Sequence, residues 1–152
     1  MDRLIPILLI LTLLISCNNT NSYTEHQEKS IEEPNPEILA RLKRYKGIGP
    51  ITTVELNEKI DMNMARQGEG VFIIMCTSCH KPKEDFIGPS PQRILDRRSP
   101  EWVMNMILNP EEMNKKDSLA ITVYEQYNRS PMSNQFLSED QARQILEYFR
   151  TL

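Results

Sequence analysis

The chain has 152 residues, 39% hydrophobic and 26% charged, with a formal net charge of -3; this allows one small globular domain with extensions and is too little for two comfortable cores. The absence of a basic excess argues against nucleic acid as a partner, because binding a phosphate backbone rests on clustered cations. Three cysteines make an odd count, so a closed disulfide framework would leave one over and each cysteine needs its own account.

Met1-Asp2-Arg3 leads into an apolar run from Leu4 to Ile15, broken only by Pro6 and Thr12. That is the length of a signal-peptide hydrophobic region and too short to span a bilayer. The run ends in Leu14-Ile15-Ser16-Cys17, with polar Asn18-Asn19 behind it, which resembles the bacterial lipobox. Residues 1–16 are then a lipoprotein signal peptide and Cys17 the lipidated first residue of the mature chain; the alternative is an ordinary secretory signal with an incidental cysteine. A thioether-linked diacylglycerol with an acylated amino terminus buries methylenes at about 0.8 kcal/mol each, enough for durable anchoring when several chains act together.

Residues 17–37 are rich in Asn, Thr, Ser, Glu and Gln, carry Pro34 and Pro36, and have almost nothing to bury. They read as a flexible tether that holds a head away from the lipid. An N-terminal extension, 38–60, follows. Ile38, Leu39, Leu42 and Tyr45 interleaved with Arg41, Lys43, Arg44 and Lys46 predict a short amphipathic helix ended by Gly47-Ile48-Gly49-Pro50. The β-branched stretch Ile51 to Leu56 predicts extended backbone without chemistry.

The remaining segment, 61–152, holds the chemistry. A helix beginning near Asp61 contains Gly68 and Gly70; each helical glycine costs up to about 1 kcal/mol against alanine, which predicts close approach of another backbone. It runs into Cys76-Thr77-Ser78-Cys79-His80. CxxCH is the attachment pattern of c-type haem: two thiols spaced to meet the two vinyl groups, and an imidazole directly after them to bind iron. Structural zinc would need a second Cys/His pair, and the only other histidine is His26, in the tether. A thioredoxin-type dithiol would need a preceding strand and a parallel-sheet pattern, whereas the flanks here are helical. Export also favours haem attachment, which takes place outside the cytoplasm.

Downstream, Phe86-Ile87-Gly88-Pro89 predicts a turn. Ser99-Pro100 predicts a helix start, with Ser99 as N-cap and Pro100 in the first turn, running through Trp102 to Leu108. Ser138-Glu139-Asp140-Gln141 is a capping-box start for a last helix whose apolar face is Ala142, Ile145, Leu146, Tyr148 and Phe149. A second axial ligand should be a methionine, since bis-histidine ligation would have to recruit His26. Of eight methionines, those in the signal, beside the motif or within a helix are set aside, leaving Met132, in the loop before the last helix, and Met113 as runner-up.

These features together resemble class I monohaem cytochromes c over Asp61 to Leu152: Ala65, Gly68 and Phe72 before the motif, CxxCH itself, the Gly88-Pro89 turn, and Tyr148 in the last helix. The resemblance implies an all-α fold in which the N- and C-terminal helices cross and haem is buried between helices and loops. It implies one covalent haem c on Cys76 and Cys79, His80 as proximal ligand, the Pro89 carbonyl accepting a hydrogen bond from His80, and Met132 as distal ligand. Phe72, Ile87, Leu95, Trp102, Leu108 and Leu146 would cover the macrocycle. Lys81, Lys83, Arg93, Arg97 and Arg98 would ring its exposed edge, with Arg97, Arg98 and Trp102 as candidate propionate partners.

His/Met ligation favours ferrous iron and leaves no open position, which implies an electron carrier and no enzyme: a monomer, lipid-anchored to a membrane of the bacterial envelope and facing the periplasm. It would pass single electrons from a quinol-oxidising complex to a terminal oxidase or periplasmic reductase. The Gly47 to Pro50 lead-in and the Trp102 to Met113 stretch resemble small cytochromes that feed reductases such as nitrous-oxide reductase. The alternative is a ligand-binding haem sensor or peroxidase-like domain with a labile sixth ligand.

Overall fold

In the computed structural model, which describes residues 35–152, every regular element is helical. The signal peptide, Cys17 and His26 lie outside the described residues. In chain order the elements are α1 (Pro36–Arg44), α2 (Met62–Met75), a 3-10 turn (Ile94–Asp96), α3 (Pro100–Leu108), α4 (Pro110–Lys116), α5 (Ser118–Gln126) and α6 (Glu139–Phe149). None is long and apolar enough to cross a membrane.

The starts of these helices follow from side chains that accept the free N–H groups of the first turn. Asp61 caps α2 through Asn63 and Met64, and Ser99 caps α3 through the Trp102 N–H at 3.0 Å. On α6 the capping box is complete: Gln141 N–H donates to Ser138 Oγ at 3.2 Å and Ser138 N–H to Gln141 Oε1 at 3.0 Å. Helices α4 and α5 were not apparent in the sequence. They are short and successive, with Pro110 in the first turn of one and Asp117 capping the other, so neither carries a long run of helical periodicity.

The core is built on the crossing of α2 and α6. A Cβ added to Gly68 would collide with the backbone of Gln144 in α6, so the absence of a side chain there lets the two helices touch. Gly70, two residues further on and about 200° round the helix, has nothing within 4 Å of the same added atom. The expectation of close approach therefore holds for Gly68 and fails for Gly70, which faces away from α6. Phe72 is 1% exposed, and its ring centroid lies 5.5 Å from that of Tyr148 and 5.6 Å from that of Phe149, within the range of favourable tilted and edge-to-face aromatic pairs.

Residues 45–57 contain no strand; they are irregular, bend at residues 48–50 and are stitched to α3 by side chains. Buried Asn105 accepts the Ile51 N–H at 2.9 Å and donates to the Lys46 and Ile51 carbonyls, each at 2.9 Å. Gly49 has no room for a side chain because that amide fills the space, and Gly47, at φ 74°, lies against Met113 and Trp102. The Ser99 hydroxyl donates to the Tyr45 carbonyl at 2.7 Å.

At the far end of α6, buried Glu147 is paired with Arg143 at 2.5 Å and Arg150 at 2.6 Å and accepts the Asp61 N–H at 2.8 Å. Burial raises its pKa, but the Arg143 and Asp61 hydrogen bonds and the two guanidinium charges outweigh it and hold the carboxyl below its ordinary value.

Two predictions follow from this packing. Gly68→Ala should destabilise the haem-loaded protein by about 1–3 kcal/mol through overpacking, whereas Gly70→Ala should add up to about 1 kcal/mol; denaturant unfolding followed by circular dichroism reads both signs. Because Glu147 titrates lower folded than unfolded, its stabilisation is complete above about pH 5 and fades as pH falls from the unfolded value of about 4.3 through the folded one. Glu147→Gln should cost about 3 kcal/mol near neutrality and flatten the acid limb of a Tm-against-pH curve.

Candidate functional site

Helix α2 ends at Cys76, whose N–H still donates to the Phe72 carbonyl at 2.9 Å. The chain then makes one more turn: the Cys79 and His80 N–H groups both reach back to the Cys76 carbonyl, at 3.1 and 2.9 Å. This turn gathers the two thiols and the imidazole on one side of the helix end. Cys76 is half-buried and Cys79 exposed. Burial, followed by the neighbouring Cys79 charge, pushes the Cys76 thiol up to about 11.

The segment after the motif folds back over His80. Gly88 N–H donates to the Cys79 carbonyl at 2.9 Å, and His80 Nδ1 lies 2.8 Å from the Pro89 carbonyl. A carbonyl can only accept, so Nδ1 carries the proton and Nε2 keeps its lone pair. A Cβ on Gly88 would come within 2.5 Å of His80 Cε1; the backbone lies directly against the ring. The loop is fixed from two sides that the sequence reading did not anticipate. Asp85 accepts the Ser90 N–H at 2.7 Å and the Tyr127 hydroxyl at 2.6 Å. These bonds lower the Asp85 pKa, while burial and then the Asp85 hydrogen bond push Tyr127 up to about 12. No local signal could have paired residues 42 positions apart.

These elements enclose a cleft of about 320 Å³ lined by Cys76, Cys79, His80, Pro89, Trp102 and Met132. Its volume and mostly apolar walls are those of a small-molecule or cofactor site. Met132 enters from the loop between α5 and α6. That loop is bracketed by three of the four non-glycine residues with positive φ among the described residues: Asn128 and Arg129 before it and Phe136, 90% exposed, after it. Met113 does not reach the cleft. It is fully buried, and its sulfur accepts the Ile48 N–H at 3.1 Å.

Other expected residues divide. Phe72, Ile87 and Trp102 line the cleft, whereas Leu95, Leu108 and Leu146 do not; Ile145 and Phe149 take the place expected for Leu146. They are i and i+4 on α6, and Leu146 is turned about 100° from Ile145 into the core. Trp102 presents its ring to the cleft but gives its N–H to buried Asp117 at 3.2 Å, away from any ligand. Of the five cations, only Arg97 and Arg98 line the cleft. Lys81 caps the Thr77 carbonyl and sits 4.9 Å over Phe86, and Arg93 pairs with Asp96 at 2.6 Å. Arg97 donates to the Ser90 and Gln92 carbonyls, and Arg98 to the Arg97 carbonyl. Burial and then the neighbouring Arg97 charge lower the Arg98 pKa, against the pull of Asp117.

The donor set fits haem c: two thiols one turn apart, an imidazole with its outer nitrogen occupied, a thioether, apolar walls, and two guanidinium groups with no carboxylate partner among the described residues. It does not fit zinc, since no group of three or more His, Cys, Asp or Glu among the described residues could hold a metal. Nor does it fit a thioredoxin-type centre, since the motif follows a helix where that centre needs a strand.

No protein-family model matches the chain, and no curated protein matches it. Solved structures do. A cytochrome c from Rhodothermus marinus is 40% identical, superposes with a TM-score of 0.65, and aligns over 77% of this chain and 96% of its own. An engineered form of the Rhodothermus marinus protein, bound to a carbene intermediate, is 40% identical over the same shares, with a TM-score of 0.62. The cytochrome c domain of a Pseudomonas putida protein is 28% identical over 55% of this chain and 85% of its own, with a TM-score of 0.50.

Gly88→Ala should drive its new methyl into the imidazole and cost about 1–3 kcal/mol. The expected readouts are a lower yield of covalently loaded protein and an altered visible spectrum; full loading with an unchanged spectrum would show that the ring has room to move.

Proposed function

The chain belongs to the cytochrome c family, and from that premise we propose that it is a lipid-anchored monohaem electron carrier at the periplasmic face of a bacterial membrane. Its cofactor is haem c, covalently attached, and its function is electron transfer. When bound, the haem supplies a one-electron ferric/ferrous couple. Cys76 and Cys79 provide the two thioether sulfurs, and His80 Nε2 the proximal ligand. Pro89, by holding the Nδ1 proton, fixes the plane of the ring and increases its basicity.

Met132, which lines the same cleft, would provide the second ligand, a soft, weak donor that favours the ferrous state. Phe72, Ile87, Trp102, Ile145 and Phe149 keep water away and so limit rearrangement when the charge changes. Arg97 and Arg98 offer positive charge to the propionates. With His80 and Met132 both holding the iron, no position would remain for oxygen or peroxide, and the chain would carry electrons without transforming a substrate. The donor is a quinol-oxidising complex and the acceptor a terminal oxidase or periplasmic reductase, nitrous-oxide reductase among them.

The observation that carries the reading is the His80–Pro89 hydrogen bond of 2.8 Å, which directs the imidazole lone pair in a cleft that Cys76, Cys79 and Met132 also line. A carbon monoxide difference spectrum of the reduced protein, paired with Met132→Ala, tests it. The wild type should not bind carbon monoxide and should show the methionine-to-iron charge-transfer band when oxidised; Met132→Ala should bind carbon monoxide and lose the band. Survival of the band would return the role to Met113, and carbon monoxide binding by the wild type would favour a ligand-sensing or peroxidase-like haem protein.

A further inference from the structure

Helix α1 is the described helix of two turns or more that buries no residue. Ile38 is 52% exposed, Leu39 and Leu42 are half-buried, and none of the three packs on the core cluster. A nine-residue helix that buries none of its residues fully is marginal in water; something should cover the rest of its apolar side. On that side Ile38, Leu39 and Leu42 cluster, and Arg41 and Lys43 flank Leu42 at about 100° to either hand. Cations beside an apolar stripe can keep their stems in an apolar layer and their charges among anionic headgroups.

The position of α1 in the chain points the same way. Eighteen residues lie between Cys17 and Pro36, a length of chain that cannot reach further than roughly 65 Å even at full extension. The helix is thereby confined near whatever surface holds the anchor, so a weak contact acts at high effective concentration. Its other end is fixed to the haem domain: the Tyr45 carbonyl accepts the Ser99 hydroxyl, and the Lys46 carbonyl accepts the Asn105 amide.

We propose that α1 is a membrane foot: its Ile38, Leu39 and Leu42 side settles into an anionic phospholipid surface, with Arg41 and Lys43 on the headgroups, and orients the haem domain relative to the bilayer. The proposal rests on the lipid anchor at Cys17. It competes with the tether's own Glu25, Glu28, Glu32 and Glu33, which could occupy the same cations.

Hydrogen exchange of residues 36–46, measured by mass spectrometry on the full-length holoprotein, tests it in vesicles of phosphatidylcholine alone and of phosphatidylcholine with phosphatidylglycerol. Amide protection of α1 should rise about tenfold or more with the anionic lipid and fall back in high salt. Arg41→Glu with Lys43→Glu should abolish the rise while leaving the visible spectrum intact. Equal protection in both vesicles overturns the proposal. So does protection without vesicles, if it grows with protein concentration (a second copy as occupant) or disappears when the four tether glutamates become glutamine (the tether as occupant). Intact mass reads the anchor separately: a mature chain without the diacylglyceryl group refutes the anchor. The foot is then judged by whether Cys17→Ser protein co-sediments with anionic vesicles in preference to neutral ones, with at least about tenfold loss in the double variant.

Discussion

Where α2 crosses α6 the two backbones touch, because residue 68 has no side chain to hold them apart. That contact sets the depth at which α2 runs into the fold, and so where its C-terminal turn delivers Cys76, Cys79 and His80. It also sets the phase of α6, which presents Ile145 and Phe149 to the cleft and turns Leu146 into the core. One missing methyl thus links the packing of the chain to the geometry of its site.

Around that crossing, buried polar side chains do much of the joining. Asn105 holds residues 46–51 onto α3, Glu147 ties the start of α2 to the end of α6, and Asp117 joins the cap of α5 to the indole of Trp102. Such groups are costly to bury unless bonded, so each admits few alternative arrangements. Their consequence is that residues 46–51 are built onto α3: Gly47 and Gly49 have no side chains because Met113, Trp102 and Asn105 fill the space.

The cleft joins a firmly held wall to a more strained one. On the His80 side, the Pro89 carbonyl, Gly88 against the ring and the Ser90–Asp85–Tyr127 bonds leave the imidazole little freedom. On the Met132 side, the loop between α5 and α6 contains Arg129 and Phe136 at positive φ, at a cost of roughly 1–2 kcal/mol each. A firm proximal side and a strained distal loop suit a ligand pair in which imidazole is the strong donor and thioether the weak one.

Much of the site was legible in the sequence because its signals are local. CxxCH, the Gly88-Pro89 turn, the Ser99 and Ser138 caps, and a methionine in the loop before the last helix are each read within a few residues, and they indicated an all-helical chain of this family. Gly68 was legible as a close approach, but Gly70 carries the same letter, and only the face each occupies separates them. Sequence ranked Met132 above Met113 without excluding Met113, since a thioether can fill a core or bind a metal equally well; the fold buried Met113 against Ile48 and brought Met132 to the cleft. The direction of the Trp102 N–H, the Tyr127–Asp85 pair and the phase of α6 were likewise decided by tertiary structure, because each depends on a partner outside its own helix or loop that no local pattern announces.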